Sequence, residues 1–142
     1  MSDRRRAPER IAAGLLVIAF WVPLAVCTYL ALHPSPPDAV FRLSDVLLHG
    51  FAFTYLTFSL ALAHRHRHWL VPGFWMLGYG VLIELAQSFE AARSAEVGDV
   101  LVDIAGIGLG LLVYGWVGAF LRDLATRLVG VLIGADVSDR SS

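Results

Sequence analysis

Four long apolar runs, at residues 11–32, 45–63, 70–88 and 97–121, occupy most of this chain and are separated by short polar segments. A bilayer's hydrocarbon core is about 30 Å thick, and roughly 20 apolar residues make one helical crossing of it. No water is present there to satisfy backbone N–H and C=O groups, so a spanning segment of this kind closes its own hydrogen bonds as a helix. The runs therefore predict an all-α fold, an integral membrane four-helix bundle. Composition agrees: 57% of the residues are hydrophobic and 16% charged, against about 45 to 50% apolar in soluble domains. The mean hydropathy is +0.66. The opening run, "IAAGLLVIAFWVPLAVCTYLAL", is too long for the core of a secretory signal and lacks a small-x-small cleavage site at its end, so it reads as a retained span. Its one cysteine, Cys27, excludes an intrachain disulfide and reads as a packing residue.

All 11 basic residues are arginine, and their placement sets the expected orientation. Arg4, Arg5, Arg6 and Arg10 lie in the head at residues 1–10, Arg65 and Arg67 in the "HRHRH" segment at 64–68, and Arg122, Arg127 and Arg140 in the tail at 122–142. The other two loops hold Arg42 and Arg93. Positive residues favour the cytoplasmic face, which predicts that both termini and "HRHRH" are cytoplasmic. That segment reads as a topological anchor in preference to a metal site or pH sensor. Three prolines in "HPSPPDAVFR" mark a loop after the first span. In "LRDLATRLVGVLIG", Arg122, Asp123, Thr126 and Arg127 share one helical face, opposite Leu121, Leu124, Leu128 and Leu132. This pattern predicts a short C-terminal amphipathic helix on the inner surface, followed by a disordered end. The four tryptophans read as interfacial anchors or packing residues, Trp69 at the inner interface.

Ionisable residues within the spans gather toward one face. Asp45 and His49 begin the second run, Glu84 and Gln87 close the third, and Asp99 and Asp103 begin the fourth. Spacings of i,i+4, i,i+3 and i,i+4 put each pair on one side of its helix. Arg93, between Glu84 and Asp99, is the natural counter-ion. A charge at the bilayer centre costs about 2.5 to 3.5 kcal/mol on insertion scales. The aspartates are expected in the first turns of outward-starting helices, where water and the positive end of the helix dipole lower that cost. Gly106 and Gly110 form a small-xxx-small pair that lets another helix approach; packing within the chain is preferred to dimerisation, which predicts a central fourth span.

At these residues the chain resembles the VanZ-like family, small membrane proteins named after one associated with reduced susceptibility to the glycopeptide teicoplanin. "SDVLLHGFAF" is similar to the family's Asp-Lys-x-x-His-Phe segment. "ELAQSFEAARSAEVGDVLVDIAGIGLG" resembles its series of Glu-x-x-Gln, Arg, Asp, Asn and Gly-x-x-x-Gly. Asp45, His49, Glu84, Gln87, Arg93, Asp99, Gly106 and Gly110 match. Val46 replaces the usual lysine and Asp103 the usual asparagine, so this cluster is more acidic than the family pattern. The resemblance implies a fold and a setting in the bacterial inner membrane, and it implies no reaction.

Three readings of the cluster stay open. As a binding site, it faces outward and holds the headgroup of an envelope lipid, an undecaprenyl-linked wall precursor or a glycopeptide-like ligand. Arg93 would then meet an anionic group, and Gln87, Asp99 and Asp103 sugar or peptide amides. As a structural feature, it fixes helix register. As a lipid-headgroup hydrolase or transferase, it uses His49 as general base, with Glu84, Asp99 and Asp103 as acids or as oxygen ligands of a hard cation such as magnesium. No nucleophile elbow, phosphate-cradling loop or metal motif accompanies them, and no cofactor is identified. Nucleic-acid binding is not expected. No ionisable residue continues the cluster toward the inner half of any span, which argues against an ion pathway.

Overall fold

The computed structural model describes residues 2–32, 41–64, 68–89 and 97–133. They form four helices: α1 (Ser2–Ala31), α2 (Phe41–Ala63), α3 (Val71–Gln87) and α4 (Val97–Leu132). Among the described residues there is no strand. The all-α expectation holds. Two segments, Arg6–Ala31 and Val100–Leu132, are long and apolar enough to cross a membrane, and α2 carries a shorter apolar stretch, Leu47–Ala63. Pro72 enters the first turn of α3, where its missing N–H costs no intrahelical bond.

Helix ends differ from the apolar boundaries because polarity does not itself stop a helix. The basic head belongs to α1, which starts at Ser2, and α2 begins at Phe41, ahead of Asp45. The amphipathic stretch after Leu121 continues α4 without a break, since no proline interrupts it. Along it, Arg127 pairs with Asp123 at 2.8 Å across one turn. The disordered end expected beyond this helix, and the proline-rich loop, lie outside the described residues.

Glycine fixes how the helices meet. A Cβ on Gly106 would lie 2.7 Å from the Gly50 carbonyl oxygen, and one on Gly110 would lie 2.6 Å from that of Thr54. The α4 backbone therefore rests directly on the α2 backbone, as the small-xxx-small spacing predicts. Position 50 meets 106 and position 54 meets 110, so α2 and α4 run parallel. The α3 helix is antiparallel to them: Gly73 faces Leu111, and Gly80 faces Asp103. Phe20, Phe53, Leu56, Leu60, Met76, Ile107 and Leu111 fill the centre, drawn from all four helices. Large apolar side chains also cover the outside; Trp116 is 82% exposed and Phe51 72%. An apolar exterior around an apolar core is the surface that hydrocarbon solvates.

Several polar side chains in this bundle serve backbone carbonyls that lack a helical partner. Pro23 has no N–H to give the carbonyl of Ala19 one turn earlier, and Tyr55 of α2 donates its hydroxyl there at 2.7 Å. Gln87 Nε2 donates to the Ala31 carbonyl at the end of α1, 2.9 Å away. Arg122 closes the end of α2, with Nε 3.0 Å from the Leu62 oxygen and Nη2 on Ala61 and His64. Its guanidinium also lies over the Tyr114 ring, 5.5 Å from the centroid. The last carbonyls of a helix need such donors, and in lipid water does not supply them.

Candidate functional site

Near the end of the bundle where α2 and α4 begin, two ionisable side chains from different helices bond to each other. His49 lies eight residues into α2 and Asp103 six residues into α4, which is about 12 Å and 9 Å from the helix starts. Their atoms His49 Nδ1 and Asp103 Oδ1 are 3.2 Å apart. A carboxylate accepts, so Nδ1–H donates, and this fixes the tautomer and the plane of the ring. Asp103 is 3% exposed. Phe53, one turn along α2, stacks on the imidazole with ring centroids 6.4 Å apart and an interplanar angle of 18°.

The third helix contributes an absence of side chain. A Cβ on Gly80 would sit 3.1 Å from Asp103 Oδ2 and 3.2 Å from the Phe53 ring. A bare glycine on α3 therefore makes room for the carboxylate and the aromatic together. Glu84 follows Gly80 by one helical turn and is partly exposed. Asp103 is the seventh residue of α4, beyond the first turn in which the helix dipole acts, so its local partner is His49 instead of the helix end expected from sequence.

The sequence-selected residues thus separate. His49, Asp103 and the glycine packing of Gly106 and Gly110 come together on α2 and α4. Gln87 is buried but turns to the end of α1. Asp45 lies in α2 and Asp99 in α4; their side chains, and Arg93 entirely, fall outside the described residues. Among the described residues no group of three His, Cys, Asp or Glu could hold a metal ion. Sequence reasoning missed Gly80, Phe53 and the capping role of Arg122. The first had a signal: Gly73 and Gly80 stand seven apart, two turns along one α3 face.

An all-helical chain with a lipid-compatible exterior and an Asp–His pair between parallel helices defines a small polytopic membrane protein. The chain belongs to the VanZ/LLP1 family, whose pattern it matches over residues 11–118. That range takes in the pair, both packing glycines and the α3 contact. No curated protein and no solved structure matches the chain.

Proposed function

We propose that this protein is a VanZ-like receptor of the bacterial inner membrane, with both termini cytoplasmic, whose His49–Asp103 centre binds the polar part of an envelope ligand. An envelope lipid, a lipid-linked wall precursor and a glycopeptide-like molecule all present the amides, hydroxyls or phosphates such a centre takes. In this reading Asp45, Glu84, Asp99 and Arg93 complete the site. The single observation that carries this reading is the part-buried bond between His49 and Asp103. Side-chain bonds between membrane helices return only about 0.6 kcal/mol on average. The Gly106 and Gly110 contacts already bring the α2 and α4 backbones together. An ionisable pair that adds little to a helix contact already made by glycine supports a functional centre over a packing device.

A structural role has its own observation in Gln87, whose amide joins α3 to the end of α1. The test is complementation of a deletion strain under envelope stress, teicoplanin included, with variants matched for abundance. His49→Ala, Asp103→Asn, Glu84→Gln and Asp99→Asn are expected to lose the phenotype while keeping wild-type thermal stability. Loss of the folded protein instead would assign the cluster to packing. Full activity of His49→Ala at normal abundance would remove both the receptor reading and any general-base role.

A further inference from the structure

A second feature lies away from the Asp–His centre, between α1 and α3. These helices are tied where the Tyr79 hydroxyl meets Thr28 Oγ1 at 2.9 Å; Thr28 itself donates to the Leu24 carbonyl, so Tyr79 donates to Thr28. Below that tie the helices enclose a cavity of about 680 Å³, lined along α3 from Val71 to Leu82, across α1 by Phe20, Trp21 and Leu24, and at one end by His64, just past the end of α2. Its lining is almost wholly apolar, and Trp75 on its rim is 69% exposed. From Val71 to Leu82, 12 residues, α3 rises about 16 Å. One leaflet of a hydrocarbon core about 30 Å thick has nearly the same depth.

The two ends of the groove differ in charge. At the His64 end, Arg122 reaches the His64 carbonyl at 3.5 Å. Toward the opposite end of α3 lie Glu84 and, against Gly80, Asp103. An anionic headgroup is drawn to the first end and repelled by the second. Trp75, in the first turns of α3, adds an indole N–H donor of the kind that sits at headgroup level. We propose that the α1–α3 groove is a specific site for one acyl chain of an anionic phospholipid, its headgroup at the His64 end beside Arg122. The site is independent of the proposed receptor centre.

Gly78 provides the test. It lines the groove, and a Cβ added to it meets nothing within 4 Å, so a Gly78→Leu side chain starts at the groove without a clash at its first atom, and only variants with wild-type thermal stability are compared. Gly108 on α4 is equally open and lies outside the groove, which makes Gly108→Leu the control. The full chain in detergent is titrated with dioleoyl phosphatidylglycerol or dioleoyl phosphatidylcholine and followed by native mass spectrometry. One phosphatidylglycerol per chain is expected, retained in preference to phosphatidylcholine. Gly78→Leu is expected to weaken it about tenfold, through lost methylene contacts, while Gly108→Leu leaves it unchanged. Equal retention of the two lipids by the wild-type chain overturns the proposal without use of any variant. Wild-type retention by folded Gly78→Leu overturns it too, as does a dimer that Gly78→Leu dissociates, since the groove would then hold a second copy of this chain.

Discussion

At the scale of single residues, the chain shows how a polar group is kept inside an apolar bundle. Asp103 accepts from His49 and packs against a glycine, which makes its surroundings sensitive to size as well as charge. Gly80→Ala would press a methyl on Asp103 Oδ2 and the Phe53 ring, and overpacking of this kind costs about 1 to 3 kcal/mol. The variant is expected to unfold at lower temperature in detergent and to shift the His49 ring resonances in NMR spectra. Unchanged His49 resonances would mean that the pair does not feel α3. Thr57 presents the opposite case: it is 0% exposed and its Oγ1 has no hydrogen-bond partner among the described residues. Thr57→Val removes a buried, unpaired hydroxyl at nearly constant shape and is expected to be neutral or stabilising by up to about 1 kcal/mol. A clear fall in thermal stability would reveal a partner for that hydroxyl.

Helices meet here by two devices, bare glycine and borrowed hydrogen bonds. Gly106 and Gly110 abut backbone oxygens of α2 that cannot swing aside, so Gly110→Ala is expected to separate α2 from α4 at a cost of at least about 1 to 3 kcal/mol. Gly115→Ala, where an added Cβ meets nothing within 4 Å, should be neutral or stabilising by about 1 kcal/mol through helix propensity. Thermal unfolding of the two side by side checks both. The bond from Tyr55 to the Ala19 carbonyl invites a double-mutant cycle. Tyr55→Phe is expected to cost about 0.6 to 1.7 kcal/mol in the wild-type chain. It should cost close to nothing beside Pro23→Ala, because that substitution supplies the backbone N–H that proline lacks. Equal costs in both backgrounds would show that Tyr55 acts through packing alone.

Across the whole molecule, parallel α2 and α4 with antiparallel α3 give the up-and-down order that successive crossings require. The proposed orientation follows from the arginines. With Cys27 replaced by serine, Ser2→Cys and Ser142→Cys are expected to resist an impermeant maleimide in intact cells, and Ser94→Cys to react. The reverse pattern would invert the receptor face. Class, helix count and the glycine contact were legible in the sequence because each rests on local rules: run length against bilayer thickness, and residue size at a repeat of four. His49 and Asp103 were legible as ionisable residues in the wrong solvent. Their direct bond, the space left by Gly80 and the turning of Gln87 to α1 were not, since they depend on the relative rotation of helices far apart in the chain. Arg122 read as part of a polar surface stripe because its sequence neighbours are polar, while its partners are carbonyls about 60 residues away that only packing exposes to it. The sequence by itself thus determined the solvent and the crossings, through hydrophobicity and length. The tertiary structure decided which polar groups meet, because in hydrocarbon each must find its partner within the protein and the search is settled by shape.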